Sequence, residues 1–340
     1  MNLKEFASRL ELSQTTVSRA LSGYPEVKQS TRDRILRAAV EYGYRPNTSA
    51  LGLATGRVGA IGIVLKGGGE FGPHTSEFMG GLGNRLQKEE IDILVSTVES
   101  TEAEIATYRR LAASKRVDAV VLHSPYLDDP RIALLTDLRL PFIVHGRPQV
   151  EGTFGWLDID NFGAVHQATR HLLDLGHRRI AFLNGYRGRI FAEHRQDGYQ
   201  AALCEHGVPL DPALSGNGEF TDEMGFRLMQ GFLRLEDRPT AVVAGSMMSA
   251  LGALRAIRIA GLKAGEDISL IAHDDVFPYI SPENLVPTLS TTRSSIRAAG
   301  ARIAEMLLDL LQGAAPESLR EVWPVELVIR RSTAAAPVKD

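Results

Sequence analysis

The chain has 340 residues, 44% of them hydrophobic, and a formal net charge of −3. Its single cysteine, Cys204, excludes an internal disulfide and a thiolate metal cage and implies a reducing, cytoplasmic setting. No apolar run approaches the ~20 residues of a membrane span, and no charged leader precedes an apolar core, so neither insertion nor export is expected.

The charge is unevenly spread. Residues 1–57 carry nine basic side chains against five acidic ones, a balance of +4 that leaves −7 for the remainder. A basic head on an acidic body implies a head that meets a polyanion. Within it, Leu3, Phe6, Ala7 and Leu10 recur at i, i+3, i+4, i+7, which predicts a first helix over 3–10. After a break at Glu11-Leu12, Ser13 opens a second helix whose inner stripe is Thr16, Val17, Ala20 and Leu21. Gln14, Thr15, Ser18 and Arg19 then face outward, a polar surface suited to base edges and phosphates in a major groove. A third helix follows. Ser30 and Asp33 have capping-box spacing, Ile35, Leu36, Ala39 and Val40 form the expected apolar face, and Gly43 ends it. Three short helices at this spacing make a helix-turn-helix head over 1–45.

Residues 46–57 form the connection. Pro46 stops the third helix, and Asn47 can cap a further short helix through Leu53. Isolated helices below about 12–15 residues are marginal, so this one orders only against something, either the body or DNA. From Val58 onward, short apolar strand-like runs at 60–65, 91–95, 119–122, 141–145, 180–183, 241–244 and 268–272 alternate with amphipathic helices. The expected helices are 76–88, 102–113, 162–175, 193–206, 223–234 and 249–259. Such alternation implies parallel sheets with right-handed crossovers, and a body of this size divides into two.

Several blocks then stand in a familiar order: Leu3-Lys4-Glu5-Phe6-Ala7, Ser13 to Leu21, Thr31-Arg32, Tyr44-Arg45-Pro46-Asn47, Asp160-Asn161-Phe162-Gly163-Ala164, 175–182, 195–199, 250–255, His273-Asp274-Asp275 and 289–292. Together they resemble the LacI/GalR transcription regulators, in their sugar- or α-glucoside-responsive branch, over nearly the whole chain. The resemblance implies an all-α head on a periplasmic-binding-protein-like α/β body of two doubly wound parallel-sheet subdomains. It sets one subdomain at about 58–157 plus 290–318 and the other at about 158–286 plus 322–331, with three crossing strands between them. It also implies a homodimer on a pseudo-palindromic DNA operator, with a sugar effector in the cleft whose closure repositions the heads.

By that resemblance Gln14 and Thr15 read bases, and Arg19 reaches a guanine or a phosphate unless a nearby carboxylate takes it. Ser13, Thr16, Ser18, Thr31 and Arg32 contact phosphates, Leu53 wedges the minor groove, and Leu3, Asn47 and Ala50 complete the DNA set. For the effector, Arg195 aligns with an anchor for sugar oxygens, or pairs locally with Asp197 or Glu193. Phe220 stacks on a sugar ring or belongs to the core. Asp274 and Asp275 end a buried strand, where parallel sheets place ligand sites. The glycine-rich loop after the first body strand offers Phe71, His74 and Glu77. Ser246 stands where many members carry a carboxylate-bearing pair, which weakens that side of the cleft for fixing a polyol.

Enzymatic readings find no support. Residues 67–72 lack the Gly-Lys-Ser/Thr of a P-loop, and the spacing of His171 and His177 does not put them on one helical face as a metal pair would need. No catalytic triad can be assembled, and no cofactor is called for. The sequence leaves two alternatives to a sugar-released repressor: a purine, nucleoside or phosphorylated metabolite acting as corepressor, and a sugar sensor without a specific DNA site.

Overall fold

The structure is a computed structural model that describes residues 1–21, 24–44, 57–67, 72–273 and 276–337. The head comprises α1 (Leu3–Arg9), α2 (Gln14–Leu21) and α3 (Gln29–Glu41). Asn2 and Glu5 cap α1 reciprocally: the Glu5 N–H donates to Asn2 Oδ1 at 2.9 Å and the Asn2 N–H to Glu5 Oε2 at 3.1 Å. Ser13 caps α2 by accepting from the Thr16 N–H at 3.0 Å. Phe6, Leu10, Val17, Ala20, Ile35 and Tyr44 fill the head's core, with Phe6 stacked on Tyr44 at 4.2 Å.

The third helix departs from expectation in two ways. It starts behind Lys28, which provides no side-chain cap, and Asp33 instead accepts from Gln29 Nε2 at 2.8 Å. Leu36 and Val40, expected inside, are 45% and 86% exposed. Ile35 and Ala38 are buried and Ala39 half-buried, so the inner stripe is rotated relative to the expected one. A stripe of about 100° cannot also hold positions 36 and 40.

The body holds two six-stranded sheets. Its elements in chain order are β1 (Ala60–Lys66), α4 (Pro73–Leu86), β2 (Asp92–Val98), α5 (Thr101–Ala113), β3 (Ala119–His123), α6 (Pro130–Asp137), β4 (Phe142–His145) and β5 (Gly155–Ile159). There follow α7 (Asn161–Asp174), β6 (Ile180–Asn184), α8 (Ile190–Glu205), β7 (Ser215–Asn217), α9 (Asp222–Leu233), β8 (Ala241–Ala244), α10 (Met247–Ile259) and β9 (Ser269–His273). The last are β10 (Ser290–Arg293), α11 (Ile296–Leu311), β11 (Arg320–Trp323) and β12 (Glu326–Val328). The first sheet runs β11-β5-β4-β3-β1-β2 and is parallel throughout. The second runs β12-β10-β9-β8-β6-β7, with β12 antiparallel to β10. Each sheet is covered on both faces, which explains the unbroken apolar runs of its central strands.

The chain passes between the sheets after β5, after β10 and after β11. Two boundaries therefore move. Residues 290–292 pair with β9 and Arg293 with β12, so β10 belongs to the second sheet; β11 belongs to the first, and the first lobe's return runs from about α11 to Trp323. The return is bound tightly. A Cβ on Gly81 of α4 would strike the Arg297 carbonyl oxygen, and one on Gly300 of α11 would strike that of Phe78, so the two helices meet backbone to backbone. Among the described residues no helix is long and apolar enough to cross a membrane.

Candidate functional site

On the head, Gln14, Thr15 and Arg19 are exposed and Ser18 is half-buried, all on the outward side of α2. Arg19 Nη1 lies 3.5 Å from Glu26 with both side chains about half exposed, a surface pair worth little. Ser13 is exposed, and its hydroxyl pairs with that of Thr16 at 2.8 Å at the start of α2. Thr31 and Arg32 are half-buried at the start of α3, and Arg32 Nη2 donates to the Tyr24 carbonyl at 2.6 Å. Leu3 packs, partly buried, on the head's core. Asn47, Ala50 and Leu53 lie outside the described residues.

Between the lobes is a cavity of about 330 Å³, within the usual range for small-molecule sites. The C-terminal ends of parallel strands supply much of its polar lining: Lys66 of β1, His123 of β3, His145 of β4, Asp158 of β5 and His273 of β9. From the second lobe comes Arg195 of α8, only 6% exposed. Its Nε donates to Asn161 Oδ1 and its Nη1 to the Gly245 carbonyl, both at 2.7 Å. The guanidinium carbon lies 5.1 Å from the Phe191 ring and 5.4 Å from that of Phe220. Asn161 in turn donates to Asp158 Oδ1 at 3.2 Å. The other Asp158 oxygen is buried with no donor in bonding range among the described residues; Arg147 Nε lies 3.7 Å and His194 Nδ1 3.8 Å away. A chain of polar contacts thus runs from the second lobe's arginine to the first lobe's strand end.

The loop after β3 is held from beneath by Arg131, which is buried. Its Nη1 meets Glu104 Oε1 and its Nη2 meets Asp129 Oδ2, each at 2.6 Å, and Nη2 also donates to the Ser124 carbonyl at 3.2 Å. Its pKa is raised: burial opposes the charge, but bonds to Asp129 and the nearby Asp129 and Glu104 carboxylates prevail. On this platform Tyr126 bridges to Arg189 of the second lobe. The Leu127 N–H donates to the Gly188 carbonyl at 3.0 Å and the Ile190 N–H to that of Pro125 at 3.1 Å. The Arg189 guanidinium lies 4.0 Å over the Tyr126 ring and bonds to the Ser124 carbonyl. The lobes therefore meet through main-chain bonds beside the cavity.

Comparison with known proteins identifies both parts. The model for "Bacterial regulatory proteins, lacI family" matches residues 2–47, and that for "Periplasmic binding protein-like domain" matches residues 169–333. Over 99% of its length the chain is 49% identical to the HTH-type transcriptional regulator AglR of Rhizobium meliloti (strain 1021), covering 95% of that protein. The chain belongs to the LacI family. The family's regulator RafR of Escherichia coli is 34% identical over 95% of this chain and 96% of its own. Among solved structures, the CelR–cellobiose complex matches with a TM-score of 0.72 and 29% identity, covering 98% of this chain and 99% of that one. The lac repressor dimer bound to operator and the anti-inducer ONPF matches with a TM-score of 0.85 and 26% identity over the same shares. Like its relatives, this LacI-family chain is a DNA-binding transcriptional regulator and not an enzyme.

Within this family member, the structure sorts the expected effector residues. His74, Arg195 and Phe220 line the cavity. His74 packs edge-on against Phe277 at 5.0 Å, and Phe220 is half-buried beside Phe191. Local pairing does not account for Arg195, since Glu193 accepts from the Gly188 N–H at 2.8 Å and Asp197 is exposed. Glu77 is displaced from the site: it is buried on α4 and accepts from Arg297 Nε at 2.7 Å, tying α4 to α11. Ser246 is displaced too. Fully buried, it caps α10 by accepting from the Ser249 N–H at 3.1 Å and does not line the cavity. Phe71, Asp274 and Asp275 lie outside the described residues. The sequence reading missed His123, His145, Asp158, Asn161, Arg189 and Phe191. For the strand-end residues the signal was available: an apolar run closed by a histidine or an aspartate, at the end where parallel sheets bind ligands.

Proposed function

We propose that the chain is a repressor of carbohydrate uptake or catabolism genes that binds a pseudo-palindromic operator as a homodimer and is released by a sugar in the inter-lobe cleft. One observation carries the sugar assignment. A buried guanidinium fork, flanked by two phenyl rings, faces strand-end imidazoles and a carboxylate across a cavity of small-ligand size. Fixed donors and acceptors suit hydroxyls, and ring faces suit the C–H face of a pyranose. The relative solved with cellobiose, similar over nearly the whole chain, supports the same class of ligand.

In this reading Gln14 and Thr15 read bases, Arg19 reads a guanine or a phosphate, and Ser13, Thr16, Ser18, Thr31 and Arg32 position the head on the backbone. Leu53 acts as a minor-groove wedge in this reading. A gel-shift titration on the promoter region tests the proposal. Operator binding should weaken steeply with salt, and a sugar should release it. A ligand that tightens the complex would make the chain corepressor-dependent, and binding without sequence preference would overturn the reading.

A further inference from the structure

Two buried polar atoms face each other across the junction of the lobes, and neither has a hydrogen-bond partner among the described residues. One is Asp158 Oδ2, at the end of β5 in the first sheet, and the other is His194 Nδ1, on α8 of the second lobe. Both side chains are buried. The two atoms lie 3.8 Å apart, about 1 Å beyond an N–H···O bond. A buried donor and a buried acceptor left without bonds are both costly, and one small approach of α8 towards β5 relieves both.

The polarity of the ring agrees with such a bond. Gln149 Nε2 lies 3.5 Å from His194 Nε2, so the imidazole accepts there, and a neutral ring then carries its hydrogen on Nδ1, towards Asp158. The next residue of α8 grips the same carboxylate: Arg195 Nε donates to Asn161, and Asn161 Nδ2 donates to Asp158 Oδ1. Consecutive residues of one helix thus reach the two oxygens of one carboxylate, with one arm joined and the other open. Arg147 Nε also stands 3.7 Å from Oδ2, but it belongs to the β4–β5 loop of the first lobe, so a rigid movement between the lobes does not alter that distance.

We infer that His194 and Asp158 form a latch between the lobes, open in this structure and closed when a sugar draws α8 towards the first lobe. The inference rests on the carbohydrate reading above, because a sugar held between Arg195 and the first lobe's strand ends supplies the pull. The chain crosses to the second lobe directly after β5, so the pair sits beside the hinge, where a closing rotation moves atoms least. The latch lies behind the cavity wall: His194 is not part of the lining, and Asp158 Oδ2 is buried. His194 is therefore a positioning residue that holds the closed arrangement, and the ligand itself meets its neighbour Arg195. A bond made in the closed arrangement and not in the open one strengthens sugar binding without stabilising the free protein.

Titration calorimetry on the full chain with sucrose, maltose, trehalose and cellobiose tests this, together with thermal unfolding in the absence of sugar. The wild type should bind at least one of the four. His194→Leu, which fills the space but has no donor, should bind that sugar about tenfold more weakly. His194→Asn, whose amide nitrogen falls near the Nδ1 position, should stay within about threefold of the wild type. In an Asp158→Asn background, which removes the acceptor facing His194, adding His194→Leu should cost less than about twofold more. Without sugar, His194→Leu should melt no lower than the wild type, since it removes an unsatisfied donor rather than a bond. Affinity of His194→Leu within about twofold of the wild type, or losses at the two positions that simply multiply, would refute the latch and leave the sugar reading standing. A lower melting temperature for the sugar-free variant would likewise refute it, by making His194 a packing residue. A wild type that binds none of the four sugars overturns the carbohydrate reading and the latch with it.

Discussion

Replacing Arg131 with methionine should destabilise the first lobe far more than its distance from solvent suggests. The guanidinium and its partners Glu104 and Asp129 are all essentially buried. Asp129 keeps the N–H groups of Tyr126 and Arg131 as donors, but Glu104 Oε1 loses its partner and Oε2 has no hydrogen bond among the described residues. Removing one member of a buried pair strands the other, at a cost of about 3–5 kcal/mol. The assay is built into the chain. Its two tryptophans, Trp156 in β5 and Trp323 in β11, both lie in the first sheet, so urea unfolding followed by tryptophan fluorescence reports on this lobe. The sign with pH comes from Asp129, whose pKa is lowered in the fold: burial alone would raise it, but bonds to Arg131, its charge, and the two backbone donors outweigh that. A depressed carboxyl contributes stability that is present above its unfolded pKa and lost as pH falls through the folded value. The variant's deficit should therefore be greatest near neutrality and shrink in acid. Arg131→Met with Glu104→Leu should recover much of the loss, because no carboxylate is then stranded without a donor. A loss below about 1 kcal/mol for the single variant, or a deficit that grows in acid, would refute the reasoning.

Other perturbations probe the head and the cleft. Gln14→Ala and Thr15→Ala should each lose about 1–3 kcal/mol against the preferred operator and tolerate more sequences, as read by gel shift against a randomised library. A uniform loss across all sequences would assign these side chains to phosphates. Arg195→Ala should abolish the sugar response in a sugar-release titration, since both the hydrogen-bonding fork and the partner of Asn161 and Gly245 disappear. A normal release curve would move the anchor elsewhere. Arg189→Ala removes the guanidinium from the Tyr126 ring and the Ser124 carbonyl and should favour the open arrangement of the lobes. Small-angle scattering should then show a larger radius of gyration without ligand, and an unchanged radius would deny the bridge a role in closure.

Which parts of this architecture could be read from residues alone depended on how each segment meets the solvent. Central strands such as β1, β3 and β8 stand out because both their faces are covered and their runs are wholly apolar. β10 escaped notice for the opposite reason. Ser290, Thr291 and Thr292 are buried yet polar, with the Ser290 N–H donating to Ser332 Oγ at 2.8 Å and Thr292 bonded to His273, so burial left no apolar signature. β11 and β7 are short edge strands, where only part of each residue is covered. In the head, polarity placed Gln14, Thr15 and Arg19 outside, and they are. The rotation of α3 was not readable, because Leu36 and Val40, which face out, are more apolar than Ala38, which faces in. In the cleft, Arg195 was visible through its family block, whereas Ser246 and Glu77 were misplaced because a serine at a helix start and an acid near a loop have local uses that sequence does not distinguish.

The order in which the chain is threaded through the two sheets has a consequence for its synthesis. The head is finished within the first 44 residues or so and shares no strand with the body. Neither lobe is finished until the very end: the first waits for α11 and β11, and the second for β12. During translation a DNA-recognition unit therefore leaves the ribosome long before the control unit that governs it has closed its sheets. A chain cut just before Arg320 would carry the head and α11 but lack β11 and β12, the edge strands that complete the two sheets.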